Sequence, residues 1–126
     1  MYKIISFVAL LLILTQCNNP QSEIKKKIVG TWVLEDMFIN ERSAAAQVVG
    51  QPQYQFHDDG KYYSFHAGQK EIGSWKLSED STLTLESETY DDKEPLVCRI
   101  TVISDQQFRY KSKKGKWRVE MHLTRF

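Results

Sequence analysis

Between Trp117 and Thr124 every second residue is large and apolar (Trp117, Val119, Met121, Leu123), and each residue between them is polar (Arg118, Glu120, His122, Thr124). Side chains of an extended chain leave it on alternating faces, so this pattern specifies a β-strand with one face in a core and the other in water. The same period of two recurs upstream, broken by turn residues about every ten positions. A first strand is expected over Val29 to Ile39, with Trp32, Leu34 and Phe38 on one face; Asp36 interrupts that face, and Met37 and Ile39 make the other partly apolar. Tyr54 and Phe56 mark a second, and His57-Asp58-Asp59-Gly60 is a hairpin signal into a third over Lys61 to His66. The fourth, Glu71 to Leu77, places Trp75 and Leu77 on one face, and the fifth carries Leu83 and Leu85 after the polar turn Ser78 to Ser81. In the sixth, Leu96, Cys98, Ile100 and Val102 alternate against a mixed face of Val97, Arg99, Thr101 and Ile103. The seventh carries Phe108 and Tyr110, and Lys113-Lys114-Gly115 turns the chain into the eighth.

Eight strands joined in sequence by hairpins favour an all-β, eight-stranded antiparallel up-and-down β-barrel, because closure removes the exposed edges of an open sheet. A two-sheet sandwich is the alternative. Two short helical pieces are expected beside the strands. Ser22 caps a helical turn through Lys27 at the N-terminal side, and Arg42 to Val49, with its alanine run and Gly50 as a stop, suits a short helix between strands 1 and 2.

The chain has 126 residues, enough for one core. Its first residues differ in kind from the rest. Lys3 precedes an apolar run from Ile4 to Leu14, long enough for a signal-peptide core and too short to span a bilayer. The run ends in Leu14-Thr15-Gln16-Cys17, which resembles a lipobox, the site at which a lipoprotein leader is cleaved before a lipidated cysteine. Gln16 stands where a small residue is usual, a departure that the looser lipoboxes of Bacteroidetes-like bacteria accommodate; an ordinary secretory leader is the alternative. The division expected is a lipoprotein signal peptide over 1–16, lipidated Cys17 with a polar tether over 17–22, and a barrel domain over 23–126. That places the protein in the cell envelope, anchored by lipid to the membrane, with an outer-membrane site facing the periplasm favoured. Only Cys98 then remains, so no disulfide is available, and a lone cysteine among Val97, Ile100 and Val102 reads as a buried strand residue.

Within the barrel domain the ordered set Gly30-Thr31-Trp32, Phe56-x-x-Asp59-Gly60-x-Tyr62, Gly73-Ser74-Trp75-x-Leu77 and Leu123-Thr124-Arg125 resembles the lipocalin-like domains of small bacterial lipoproteins, in the calycin group. The resemblance covers nearly all of the mature domain. It implies a barrel with one closed end and one open end for small hydrophobic ligands, and names no ligand. In an up-and-down barrel the start of the first strand and the end of the last lie together, so Trp32 and Arg125 are expected to meet in a cation–π contact, with Gly30 and Trp75 nearby as closed-end structural residues. Phe38, Tyr54, Tyr63, Phe65, Tyr110 and Trp117 are the candidate ligand-lining residues of the open end. The resemblance favours Tyr62 as the inward residue of the third strand, whereas the aromatic pair Tyr63 and Phe65 favours the opposite parity.

Seventeen Lys and Arg against sixteen Asp and Glu leave no basic excess for nucleic acid. His57, His66 and His122 are not spaced as zinc ligands or as part of a nucleophilic site, so neither metal, cofactor nor enzymatic chemistry is expected. The acidic run Glu86 to Glu94 and the basic run Lys111 to Arg118 form an opposed pair of charged segments. Two function classes follow: a carrier or sensor of a small hydrophobic ligand, or an envelope module with a filled barrel that binds a protein partner, as an assembly factor or inhibitor.

Overall fold

A computed structural model describes residues 20–44, 50–90 and 94–126. Cys17 and the expected leader lie outside the described residues. Among the described residues one helix, α1 (Pro20–Ile28), precedes nine strands: β1 (Gly30–Ile39), β2 (Arg42–Ser43), β3 (Gln53–Phe56), β4 (Lys61–His66), β5 (Gln69–Leu77), β6 (Thr82–Ser87), β7 (Leu96–Ile103), β8 (Gln107–Lys114) and β9 (Trp117–Arg125). β1 and β3 to β9 form a closed eight-stranded antiparallel barrel in which each strand pairs with the next and β9 returns to β1. The short β2 lies outside the ring, paired to the end of β1 through Phe38 opposite Ser43.

This topology gives the barrel two unlike ends. At one, Gly30 and Arg125 meet the β3–β4, β5–β6 and β7–β8 turns. There Asp59 Oδ1 accepts the Lys61 amide at 2.9 Å, and Ser104 Oγ accepts the Gln107 amide at 3.0 Å. Trp32, Phe56, Trp75, Leu83, Phe108 and Leu123 fill this half. Their rings meet edge-on, Trp32 on Phe108 at 5.5 Å and Phe56 on Trp75 at 5.9 Å between centroids, an arrangement that suits the aromatic quadrupole. α1 lies across the same end. Ile28 is fully buried, which contributes about 2 kcal/mol, and the Gln21 side-chain amide donates to the Leu77 carbonyl at 2.6 Å.

The structure departs from the sequence expectation in four places. α1 starts at Pro20 rather than Ser22, since proline's fixed φ and missing amide suit a first helical turn; three residues expected as tether are therefore helical. The helix expected over Arg42 to Val49 begins instead as β2, and the Ala44 amide donates to the Met37 carbonyl at 2.7 Å. Pairing with the open edge of β1 draws Arg42 and Ser43 into the sheet; residues 45–49, on which the rest of the expected helix falls, lie outside the described set.

The third departure has the largest consequence. Against β9, Leu34 stands opposite Leu123 and Asp36 opposite His122, so Glu35 is an extra residue, a β-bulge. Past it the faces exchange: Met37 and Ile39 come opposite Met121 and Val119 on the inner face, and Phe38 turns outward opposite Glu120. A second bulge at Thr101 does the same to β7, so Ile103 points in opposite Phe108 and Val102, expected inside with Cys98, points out.

Candidate functional site

At the closed end Arg125 joins three segments. Its guanidinium carbon lies 4.1 Å from the centre of the Trp32 ring. Its Nε donates to the Asp105 carbonyl at 2.7 Å, Nη1 to the Val29 carbonyl at 3.0 Å and Nη2 to the Lys27 carbonyl at 2.7 Å. Arg125 therefore holds the last turn of α1, the start of β1 and the β7–β8 turn together. Gly30 makes this possible: its φ of 139° lies where side chains are rarely tolerated, and an added Cβ would collide with Arg125 Nη1. The Trp32 indole donates to the Ile28 carbonyl at 2.8 Å and the Trp75 indole to the His57 carbonyl at 2.9 Å. Gly30, Trp32, Trp75 and Arg125 thus come together as one sealed, fully bonded end.

The other half of the barrel is not filled. A cavity of about 380 Å³ opens there, between Leu34, Met37, Leu85, Val119 and Met121 on its apolar walls and the polar groups of Tyr54, Tyr62, Tyr110, Glu71, Ser64 and Ser112. The volume falls in the usual range of small-molecule sites, as does the mixture of mainly apolar wall with a few hydroxyls. Tyr62 donates its hydroxyl to Glu71 Oε1 at 3.0 Å. Burial, assisted by the Glu71 charge, pushes the Tyr54 phenol up to about 12, and the same two causes raise Tyr62. Tyr110, buried deepest, is raised well above its ordinary value by burial and by its neighbour Tyr54. All three hydroxyls stay protonated near neutral pH, so the cavity presents neutral donors, phenol rings and one carboxylate at its wall.

Of the six candidate lining residues, Tyr54 and Tyr110 line this cavity. Phe38 does not; the Glu35 bulge sends it to the outer face, where its ring packs on His122 at 5.0 Å. Tyr63 and Phe65 also face outward, because Tyr62 takes the inner face of β4 opposite Gly73. Outside, Lys70 Nζ sits 4.8 Å from the Tyr63 ring centre and 5.8 Å from that of Phe65. Trp117 stands at the rim, 48% exposed, in a separate groove of about 470 Å³ with Ile39, Ala44 and Val119.

Sequence reasoning left Tyr62 unresolved and passed over Met37, Ser64, Glu71 and Ser112. The signal that decides Tyr62 is Gly73: a Cβ there would collide with the Tyr62 ring and the Glu86 carbonyl, so the glycine makes room for an inward aromatic opposite. Cys98 is fully buried beside the cavity, and burial pushes its thiol up to about 12, which suppresses the reactive thiolate. The histidines are dispersed, His57 in the β3–β4 turn, His66 at the mouth and His122 on the outer face bonded to Glu120 at 2.9 Å. Compared with known proteins, the chain matches no family model and no curated sequence.

Proposed function

We propose that this protein is a lipid-anchored lipocalin-like lipoprotein of the cell envelope, whose barrel binds a small hydrophobic ligand in its open half. The observation that carries the reading is the division of the interior. One half is packed with aromatic side chains and sealed by α1, while the other keeps a cavity of about 380 Å³. A barrel that acts only through its outer surface gains stability from filling that space, so the open half argues for a ligand over the protein-binding module with a filled barrel. The hydroxyls of Tyr54, Tyr62 and Tyr110 suit a ligand with an apolar body and a hydrogen-bonding group. Binding without chemical conversion is part of the proposal, as is anchoring through Cys17, which rests on the leader sequence.

Native mass spectrometry of the protein purified from its own host tests both parts. The reading expects a mature chain beginning at a lipid-modified Cys17 with a non-covalent adduct of a few hundred daltons, roughly what such a cavity holds. A bare protein that also ignores small apolar probes would overturn the ligand reading, and an unmodified Cys17 the anchor.

A further inference from the structure

The outer face of β7, β8 and β9 carries a charge arrangement that the barrel itself does not need. Arg99 on β7 is the direct cross-strand partner of Lys111 on β8, and Lys113 on β8 is the direct partner of Arg118 on β9. Like charges placed directly opposite one another weaken a sheet, and here two such pairs stand side by side. The nearby acids offset little of this. Glu41 pairs with Arg118 at 3.5 Å with both side chains exposed, and Glu120, opposite Lys111, gives its carboxylate to His122 at 2.9 Å. Among the described residues no ion pair is formed by Arg99, Lys111 or Lys113.

These cations border an open groove of about 560 Å³ whose apolar surface comes from Phe38, turned outward by the Glu35 bulge, and from Val97, which is 56% exposed. At the rim that adjoins this face, on the β8–β9 hairpin, Trp117 is 48% exposed with Lys116 Nζ 5.5 Å from its ring centre; the tryptophan precedes outward Arg118 in the alternation of β9 and lines the neighbouring groove with Ile39 and Val119. An exposed tryptophan flanked by lysines is the composition that settles at a bilayer's headgroup level, the ring among glycerol and acyl groups and the ammoniums among phosphates.

We propose that this outer face of β7 to β9, together with the adjoining rim at Trp117, docks the barrel onto a membrane surface rich in anionic phospholipid. Headgroup phosphates relieve the repulsion within the Arg99–Lys111 and Lys113–Arg118 pairs, and Trp117 and Val97 enter the interfacial layer beside them. Lys111 and Lys113 project from the wall opposite to the cavity lining, so docking and ligand binding are separable.

The test uses the full-length protein with vesicles of phosphatidylcholine alone, or with one part in three replaced by phosphatidylglycerol, each carrying a lipid-borne fluorescence quencher at headgroup depth. Trp32 and Trp75 are buried, and Trp117→Phe assigns the Trp117 signal. The proposal expects Trp117 to be quenched on the anionic vesicles only, with quenching reduced by high salt, which screens the contacts. Removing two cations in Lys111→Gln/Lys113→Gln should weaken apparent docking by about fivefold for each cation, while an unchanged urea melt shows that the barrel is intact. Equal quenching on neutral and anionic vesicles, or a double variant that docks like the parent, would overturn it and leave the face to an acidic protein segment.

Discussion

The guanidinium of Arg125 lies over the ring of Trp32 at 4.1 Å although ninety-three positions of sequence separate them. The first and last strands of the barrel are neighbours, with Trp32 directly opposite Arg125 in the β1–β9 ladder. The contact closes the ring and pins α1 across the end of it. Arg125→Ala should cost about 2–4 kcal/mol, since it removes charged hydrogen bonds to three carbonyls as well as the stacking contact. Arg125→Lys should recover little of this, because an ammonium cannot reproduce the planar fork. Urea melts of the two variants check both expectations.

The two ends should respond differently to the loss of an aromatic ring. Trp32 is fully buried and Trp117 is half exposed, so Trp32→Ala is expected to cost about 3–5 kcal/mol and Trp117→Ala no more than about 1 kcal/mol. Equal losses would contradict the assignment of closed end and rim.

Gly73→Ala should destabilise the barrel by about 1–3 kcal/mol through overpacking, as the new methyl collides with the Tyr62 ring and the Glu86 carbonyl. Pairing it with Tyr62→Ala should recover part of the loss, a coupling that a double-mutant cycle measures. Additive losses would mean that the carbonyl alone sets the requirement for glycine.

Most strand positions were legible because alternation is a local property: the tracts around Trp75, Leu83, Phe108 and Met121 each show their buried face in five or six residues of sequence. What was not legible was parity across an irregularity. Asp36 in an otherwise apolar face, followed by apolar Met37 and Ile39, was the trace of the Glu35 bulge; the partner strand alone identifies the extra residue, because an inserted residue is defined by what it fails to face. The error placed Phe38 in the site and hid Met37. On β4 the choice between Tyr62 and Tyr63 rested on Gly73, eleven residues away, and the polar inner residues Ser64, Glu71 and Ser112 were missed because they break the apolar pattern that marks an inner face. β2 could not be found from propensity, since it exists through the edge that β1 leaves unpaired.

Stability should fall at alkaline pH. Tyr54, Tyr62, Tyr110 and Cys98 all have raised values in the folded chain, chiefly through burial. Unfolded tyrosine ionises near pH 10 and unfolded cysteine near pH 9 or just below. Above those values the folded state holds protons that the unfolded state has released, so stability declines as pH rises and the contribution is fully present below about pH 8.5. Each such proton lowers stability by about 1.4 kcal/mol per pH unit, until the folded group itself ionises, near pH 12 for Tyr54 and Cys98. Urea melts between pH 8 and 11.5, with phenolate absorbance followed in parallel, should show the decline together with delayed ionisation of buried tyrosines. A flat profile to pH 11 would mean that these groups are not buried.

The division of the barrel into a filled half and an open half is tested most directly by titrating a small apolar fluorescent probe into the parent protein, Ser112→Phe and Phe38→Ser. Ser112 faces the cavity and Phe38 turns away from it. The parent should bind one probe, Ser112→Phe should lose that binding by occupying the space while its melt remains cooperative, and Phe38→Ser should bind as the parent does. Undiminished binding by a folded Ser112→Phe, or its loss in Phe38→Ser, would contradict a site inside the open half of the barrel.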